Sequence, residues 1–271
     1  MTQIYHLPVL SRPDLFAFRA PGPGLGNLLF PIARAVRAQK NTGGVVVLPT
    51  LRQIKIGTYL RQERDKRTYG DIFRPRSITE AGHWIKAALL PQRDETEENP
   101  AARVVRYAGM GSQFYDLQGY ETNIRDFLKY RSKARLPEVV YDVAVHVRQT
   151  DFQPPEAGAA LQNAQIPLAW YREAFLLAKE FVAKPNPSTI VFTDANPLAI
   201  IEELGIEQAI SAPEGNALTS IFAMSQARII IASRSTFSAW AQYLGGTYAV
   251  WPSGFRLDLY KPIDTDRDFF L

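Results

Sequence analysis

The second half of the chain alternates short β-branched runs with segments of helical periodicity, and this alternation restricts its fold more than any other feature. Runs rich in Val, Ile and Thr predict strands, and apolar residues spaced i, i+3, i+4 predict helices. The predicted strands are 143–147, 189–193, 228–232 and 248–251. The predicted helices are 170–183, a helix ending at 203 after the turn 194–197, 217–225 and 237–244. Strands that alternate with helices indicate an α/β fold with a doubly wound parallel sheet.

The first half is less regular but begins in a similar way. An apolar run at 15–20 predicts a strand, a loop rich in Gly and Pro follows, and helical spacing then continues over 28–40. A β-branched run at 45–48 completes a β–loop–α–β unit, the start of another parallel sheet. Later segments predict an exposed acid-rich loop at 92–99, a strand at 104–107, a helix at 122–130 and a basic linker at 131–137. We therefore expect domains over 1–135 and 136–253, and a tail over 254–271.

Composition excludes several kinds of chemistry. The 271 residues include no Cys and three His, which excludes disulfides, Cys-ligated zinc, iron–sulfur clusters and thiol nucleophiles, and argues against a His-rich zinc site. The net charge of +4 suits an anionic ligand such as a nucleotide, or a weak attraction to anionic membranes, but is too small to indicate nucleic-acid binding. With no membrane-spanning apolar stretch and no signal-peptide pattern, the expected compartment is the cytoplasm.

Polar side chains follow three of the predicted strands in the second half, and ligands of open parallel sheets bind beyond such strand ends. The first strand ends in His146 and Arg148, which the two-residue period places on one face. Asp194 follows the second strand, and Ser235 and Thr236 stand between the third strand and its helix. A guanidinium grips phosphate with two hydrogen bonds, and a helix N-terminus binds anions. Together these residues indicate an anion site.

Each of these residues also has an ordinary structural interpretation. Asp194 would cap the following helix, and Ser235 or Thr236 would be a simple N-cap. Arg148 would pair with Asp151 at the surface. His146 would be a core histidine with its hydrogen bonds satisfied.

The glycine loop is a weak signal by itself. Gly22, Gly24 and Gly26 have the spacing G-x-G-x-G, and the segment 45–49, where a dinucleotide fold needs an acid, contains none. Asn27 stands where a phosphate-binding loop would need lysine. The loop is therefore interpreted as allowing close approach of backbone to a ligand.

Four segments in sequence resemble motifs of the fucosyltransferase superfamily, which contains α-1,2-, α-1,6- and protein O-fucosyltransferases. These are Gly-Leu-Gly-Asn-Leu-Leu-Phe at 24–30, His-Val-Arg-Gln-Thr-Asp-Phe at 146–152, Thr-Asp at 193–194 and Ser-Thr-Phe-Ser-Ala-Trp at 235–240. Their order and spacing are similar to the family over about residues 16–252. The α-1,2-type branch, glycosyltransferase family 11, is the branch they resemble most.

The resemblance implies a GT-B-like fold, in which two Rossmann-like domains face a cleft. It implies an inverting, metal-independent transfer of fucose from GDP-fucose to a hydroxyl of a glycan acceptor. We accordingly expect a role in surface polysaccharide synthesis on the cytoplasmic side, peripheral association with the inner membrane face, no cofactor besides the GDP-sugar donor and no nucleic-acid partner.

The resemblance also implies roles for particular residues. The leaving diphosphate would be balanced by Arg148 and by the hydrogen-bond donors of three residues at the start of a helix, Ser235, Thr236 and Phe237. Asp194 would accept both N–H donors of the guanine edge. The remaining substrate-binding residues would be Gly24, Gly26, Asn27, His146 and Asp151.

The catalytic base is assigned by position. Glu156 stands a few residues after the central motif, at the offset of the base proposed in some relatives, and the same residue is also interpreted as an exposed loop acid after two prolines.

Two departures from the family pattern leave the identity of the donor sugar undecided. Gln149 replaces the second Arg of the central motif, and Leu28 replaces the usual Gln of the first. The alternatives are a glycosyltransferase that uses another nucleotide sugar, or a non-catalytic nucleotide- or glycan-binding protein on the same fold.

Overall fold

The chain forms two compact α/β units, Met1–Ala134 and Arg135–Leu271. The computed structural model describes residues 3–53, 55–60, 68–134, 138–149, 165–206, 208–213 and 216–271. Each unit has one parallel β-sheet with helices packed on it, which is the class that the alternation of strands and helices predicts. No helix among these residues is long and apolar enough to cross a membrane.

The first unit is built on a four-stranded parallel sheet with the strand order β2-β1-β4-β3. In chain order its elements are β1 (Tyr5–Val9), α1 (Leu25–Thr42), β2 (Val45–Val46), α2 (Ile56–Leu60), α3 (Ile78–Leu89), β3 (Gln92–Asp94), β4 (Val104–Ala108) and α4 (Glu121–Arg131). The predicted helices at 28–40 and 122–130 and the predicted strand at 104–107 are confirmed, with no end shifted by more than three residues.

The first strand is not where the sequence predicts it. β1 spans Tyr5–Val9, whereas 15–20 is a loop in which Leu15 and Phe18 are exposed. The buried Arg19 organises this loop, because its Nη1 donates to Ser11 Oγ at 2.9 Å and to the Ala20 carbonyl at 3.1 Å. The apolar run is therefore wrong as a strand signal.

The sequence does not predict β1 as a strand because the segment contains Pro8, and proline is normally confined to sheet edges. β1 lies between β2 and β4, and Pro8 stands opposite Tyr107 of β4. The His6 carbonyl accepts from Val47 N at 2.8 Å, so alternate residues, including Pro8, direct their backbone groups towards β2. β2 ends at Val46, before the level of Pro8, so the missing N–H of proline costs no ladder bond.

Two further segments of this unit differ from the expectations. The polar stretch predicted as a loop at 92–99 begins with β3, an edge strand whose Asp94 forms an ion pair with Arg106 of β4 at 2.9 Å. Helix α3 was not predicted, although it begins with a capping box in which Ser77 Oγ accepts from Glu80 N and the Glu80 carboxylate accepts from Ser77 N.

The second unit is built on a six-stranded parallel sheet with the order β10-β9-β8-β5-β6-β7. Its elements are β5 (Val143–Val147), α5 (Leu168–Val182), β6 (Thr189–Thr193), α6 (Pro197–Leu204), β7 (Ala209–Ser211), α7 (Ala217–Met224), β8 (Ile229–Ile231), α8 (Thr236–Gly245), β9 (Tyr248–Trp251) and β10 (Asp268–Phe270). All four strands and all four helices predicted here are confirmed. The sequence pattern does not predict the strands β7 and β10.

The core of the second unit encloses its central strand on both faces. Every residue of β5 is buried. Val143, Val145 and Val147 pack in one cluster with residues of α5 such as Tyr171, whereas His146 faces Phe237 of α8 on the other side. This is the alternation that the two-residue period of the strand predicts.

The C-terminal segment, expected to be a separate tail over 254–271, contributes a strand to the sheet. β10 pairs in parallel with β9, and the fully buried carboxylate of Asp268 anchors it. That carboxylate accepts from Gln242 Nε2 at 2.7 Å and from Trp251 Nε1 at 3.2 Å, and it forms an ion pair with Lys261. A polar stretch can be integral to a core when its charge is paired there.

We expect Asp268→Ala to lower the free energy of unfolding by about 3–5 kcal/mol, because it leaves the largely buried Lys261 side chain without its counter-charge and removes the acceptor of Gln242 and Trp251. Chemical denaturation monitored by tryptophan fluorescence measures this change. The matched control is Asp258→Ala, which removes an exposed partner of Arg256 and should leave the unfolding midpoint unchanged. Equal midpoints for the two variants would contradict a structural role for the C-terminal segment.

Candidate functional site

The sheet register brings three strand-to-helix junctions of the second unit to one edge. Val147 of β5 stands opposite Thr193 of β6, so Arg148 and Asp194 emerge side by side. Val145 stands opposite Ile231 of β8, so the β8–α8 loop leaves the sheet next to the end of β5. The expected convergence of Arg148, Asp194 and the Ser235 loop at one carboxyl edge is therefore confirmed.

Asp194 holds the end of β5 in place. Its Oδ2 lies 3.4 Å from Arg148 Nε, and its Oδ1 accepts from Gln149 N at 2.9 Å. The carboxylate and the guanidinium side chains are 21% and 23% exposed, so both remain accessible to a ligand. The interpretation of Asp194 as the helix cap is wrong, because Asn196 Oδ1 takes that role by accepting from Leu198 N at 3.1 Å.

A buried cluster of hydroxyl groups joins β5 to the β8–α8 loop. His146 Nδ1 lies 2.8 Å from Ser238 Oγ and 3.0 Å from Ser233 Oγ. Ser233 Oγ in turn donates to Ser235 Oγ at 3.0 Å, and Ser233 N donates to Ser238 Oγ at 3.1 Å. The loop that begins α8 is thus bonded directly to the central strand.

His146 is neutral in this cluster. Burial, and then the positive charge of Arg148, lowers its pKa to about 4, against a smaller opposing effect of Asp194. With 6% of its surface exposed and hydrogen bonds to two serines, His146 matches the interpretation as a satisfied core histidine. It lies beneath the edge and supports the loop.

The start of α8 presents backbone N–H groups at the same edge. Ser235 occupies the N-cap position with extended φ and ψ of −139° and 150°. Its hydroxyl accepts from Ser233 and makes no side-chain cap within the described part of the chain, so Ser235 is the N-cap by position, but without the side-chain hydrogen bond of an ordinary cap. Thr236 and Phe237 are the first residues of α8, and the N-terminus of a helix attracts anions through its partial positive charge.

Sequence reasoning assigned no role to two residues at this edge, Arg234 and Tyr171. Tyr171, in the first turn of α5, is fully buried, and its hydroxyl lies beside the Arg148 backbone and within electrostatic range of Asp194 and Arg234. Burial raises the Tyr171 pKa, so the phenol is neutral, and burial lowers the pKa of Arg234. The position of Arg234 between a strand and a helix was the signal available in the sequence.

The glycine loop belongs to the first unit. Gly24 is the N-cap of α1, exposed and with an ordinary φ of −65°, and a Cβ there would meet no atom of the described residues within 4 Å. Gly26 is buried in the first turn, and Asn27 is half-buried next to it. Packing within the first unit favours glycine at position 22, because a Cβ there would lie 2.9 Å from Arg19 Nη1.

Two predicted site residues, Asp151 and Glu156, lie outside the described residues. The residues on either side of that segment are joined, because Gln165 Nε2 donates to the Gln149 carbonyl at 2.7 Å. Within the described ranges, no group of three His, Asp or Glu side chains is arranged to hold a metal ion.

The first unit has a separate groove, of about 500 Å³, whose lining includes Arg37, Arg93, Tyr107 and Tyr115. The connection from β3 to β4 contains no helix, whereas parallel crossovers usually include a helix that covers the sheet. This leaves the sheet face beside α1 open. None of the residues singled out by the motifs lines this groove.

We expect the free energy of unfolding to decrease as the pH is lowered from 7 to 5, because His146 is buried in its neutral form. The unfolded chain takes up a proton near pH 6.5, whereas the folded chain resists protonation down to about pH 4, so the unfolded state binds more protons between these values. From pH 7 to pH 5, the wild type should lose roughly 2 kcal/mol more unfolding free energy than His146→Gln. Denaturation at both pH values measures the difference, and parallel losses would refute a buried neutral His146.

No protein-family model and no curated protein matches the sequence. Solved structures that resemble the chain include NodZ α-1,6-fucosyltransferase soaked with GDP-fucose, at 13% identity, a TM-score of 0.49 and coverage of 90% of this chain and 93% of that one. Another is the E. coli heptosyltransferase WaaC with ADP, at 11% identity, a TM-score of 0.48 and coverage of 98% and 92%. POFUT1 in complex with GDP-fucose shares 12% identity, with a TM-score of 0.47 and coverage of 100% and 99%. With TM-scores below 0.5, the function of this chain has to be argued from its own residues.

Proposed function

We propose that the chain is a glycosyltransferase whose second unit binds a nucleotide-sugar donor at the carboxyl edge of its sheet. The donor proposed is GDP-fucose, and the product is a fucosylated glycan formed with inversion and without a metal ion. This assignment joins the motif resemblance to the arrangement of charges and hydrogen-bond donors at that edge.

One observation carries the proposal: a cation, a helix N-terminus and a carboxylate converge from three separate junctions. Arg148 follows β5, Asp194 follows β6, and Ser235 begins α8 beyond β8. A nucleoside diphosphate needs a positive group and N–H donors for its phosphates, and an acceptor of hydrogen bonds for its base. The three junctions offer these groups at the same edge of one sheet.

The proposed reaction needs stabilisation of a leaving diphosphate. The acceptor hydroxyl oxygen forms a bond to the anomeric carbon while the bond from that carbon to the diphosphate oxygen breaks, and the electron pair departs with GDP. Arg148 and the N–H groups of Thr236 and Phe237 would stabilise that growing negative charge. The hydroxyl proton passes to a general base, for which Glu156 remains the proposed residue.

The other proposed roles rest on the resemblance of the sequence motifs to the fucosyltransferase superfamily. Asp194 would accept two N–H bonds from guanine, and a carboxylate has enough lone pairs to do so while it braces Gln149 and Arg148. Gly24, Gly26 and Asn27 are proposed to contact the sugar-phosphate, and Asp151 is proposed to bind substrate. Surface polysaccharide synthesis, a cytoplasmic location and association with the inner membrane face are part of the same proposal.

The direct test is a thermal-shift panel of GDP, UDP, CMP and dTDP, each with and without its sugar. A ligand that binds only the folded state raises the melting temperature. The proposal expects the largest shift with GDP and GDP-fucose, and no shift with any nucleotide would overturn it. Release of free fucose from GDP-fucose, measured without an acceptor, separates an enzyme from a binding protein.

Arg148→Ala should weaken GDP binding by about 10- to 150-fold, because it removes a charge-assisted contact worth about 1.5–3 kcal/mol. Calorimetric titration with GDP measures this loss. The control is Arg256→Ala in the same unit, whose guanidinium pairs with Asp258 at the surface. Wild-type affinity in the Arg148 variant, with a normal circular dichroism spectrum, would exclude a phosphate-binding role.

Asp194→Asn should reduce the preference for GDP over ADP, because an amide offers one acceptor oxygen where guanine needs two. Its oxygen can still accept from Gln149 N, which keeps the end of β5 in place. The ratio of the two dissociation constants isolates base recognition from the overall affinity for diphosphate. An unchanged ratio would show that Asp194 does not recognise the base and only stabilises the end of β5.

A further inference from the structure

We propose that the groove of the first unit, about 500 Å³ in volume, is a glycan-binding site that holds an uncharged oligosaccharide apart from the transfer site. The motifs assign this groove no role. The choice of a glycan among uncharged polyhydroxylated ligands rests on the proposed function. Four features of the groove support the inference: the open sheet face, the fixed lining, the balance of its charges and its distance from the glycine loop.

The groove lies where the sheet has no crossover helix. β1 leads to β2, and β3 leads to β4, by a step in the same direction along the sheet, so right-handed connections place both crossovers on the face that α1 covers. α1 is the first crossover, whereas the connection 95–103 contains no helix. The space beside α1 and above β4 is therefore open, and its volume lies in the range of small-molecule sites, which is about 300–1,000 Å³.

The floor of the groove is fixed in place. Val105 of β4 stands opposite Arg93 of β3, and Tyr107 lies on the same face as Val105. The Tyr107 hydroxyl lies 3.0 Å from His6 Nδ1, and His6 Nε2 lies 2.8 Å from the Gly43 carbonyl. Burial lowers the pKa of His6, so the ring is neutral, and because a carbonyl only accepts, Nε2 carries the proton and Nδ1 accepts from the phenol. These bonds hold the Tyr107 ring in one position without a ligand.

The walls offer hydrogen-bond donors and aromatic surface. Asn41, near the end of α1, is exposed, and its Oδ1 accepts from the Tyr120 hydroxyl at 2.6 Å. In the described part of the chain its Nδ2 group makes no hydrogen bond, so two oriented N–H donors are available to a ligand. The Tyr115 side chain, which is 44% exposed, and the half-exposed Tyr120 contribute aromatic rings to the same lining.

The charged side chains of the lining balance one another. Arg37 Nη1 lies 3.9 Å from Asp116 Oδ1, and Glu95 Oε1 lies 2.8 Å from Nη2 of the buried Arg34. With Arg93, the described lining carries two guanidinium groups and two carboxylates. A phosphate would meet the carboxylates, and a cation would meet the guanidinium groups, so a ligand without charge fits this lining best.

A saccharide matches this combination of groups. Each sugar hydroxyl both donates and accepts hydrogen bonds, which suits amide and guanidinium donors that stand near carboxylate acceptors. One face of a pyranose ring carries C–H groups, and this face packs against an aromatic ring. The groove therefore provides both kinds of contact that a sugar ring needs.

The groove is well separated from the glycine loop. Arg37 and Asn41 follow Gly24, the N-cap of α1, by 13 and 17 residues. A helix rises 1.5 Å per residue, so these side chains lie roughly 20–25 Å along α1 from the loop. A sugar bound in the groove is therefore not the sugar that contacts the glycine loop, and the groove holds a part of the glycan remote from the reacting hydroxyl.

The test compares two groove variants with two matched controls. Ala38→Trp fills the groove from α1, and Asn41→Asp removes the amide donors but keeps an acceptor oxygen. The controls are Ala88→Trp, at an exposed position of α3, and Asn99→Asp, which likewise keeps an acceptor oxygen in an exposed turn. Each protein is applied to an array of immobilised neutral, sulfated and phosphorylated glycans. Calorimetric titration then measures the affinity for the neutral oligosaccharide that the wild type retains best.

We expect the wild type to retain neutral glycans and Ala38→Trp to retain none. Asn41→Asp should bind the same oligosaccharide about 5- to 10-fold more weakly, because it loses a hydrogen bond between neutral groups. Both controls should bind like the wild type. The affinity should not change with salt concentration, because the ligand carries no charge.

Failure of the wild type to retain any glycan would overturn the inference, and so would equal retention by the wild type and Ala38→Trp. Binding confined to sulfated or phosphorylated glycans would also overturn it, because it would indicate an anion site. In each of these cases the thermal-shift panel with nucleotides decides the proposed function independently. Neutral glycan binding that Ala38→Trp abolishes, in a protein that binds no nucleotide, would support the groove and overturn the proposed function.

Circular dichroism of each variant separates lost binding from lost folding. If Ala38→Trp is unfolded, the comparison of Asn41→Asp with Asn99→Asp decides, and equal affinities for these two variants would overturn the inference.

Discussion

The parallel pairing of β5 with β6 and β8 is the constraint on which the site depends. β5 is buried on both faces, and the polar His146 distinguishes them because its hydrogen-bond partner Ser238 lies in α8. A slip of one residue would turn His146 towards the α5 face and the valines towards α8. With the register set, the ends of the three strands must meet at one edge, and their junction residues become neighbours.

Two layers of polar groups make that edge stable. The lower layer is the buried His146–Ser233–Ser238 cluster, whose hydrogen bonds offset the cost of placing polar atoms in the core. The upper layer is the partly exposed pair of Arg148 and Asp194. A neutral histidine below a cation avoids repulsion between like charges, which is consistent with its pKa of about 4.

The first unit shows where local signals mislead. β1 contains a proline and still lies inside a sheet, because the neighbouring strand β2 ends before Pro8 needs a partner. β3 is polar and still pairs, because Asp94 and Arg106 supply a contact across the strands. In both cases the strand depends on contacts with neighbouring strands. Those contacts join residues that are far apart in the sequence, so a local sequence pattern does not predict them.

The sequence alone predicts the α/β class, four of the six strands and all four helices described in the second unit, and the three junctions where polar residues follow strands, because those signals are periodic and local. It singled out Arg148 and Asp194 but left open whether Asp194 or Ser235 were caps. The three-dimensional structure was needed to show that Asn196 caps the helix, that Asp194 contacts Arg148, and that His146 is buried beneath the edge. It also added β10, through the buried charge of Asp268. The physical reason is that hydrogen-bond partners, burial and pKa depend on residues distant in the chain, which come together only when the sheet forms.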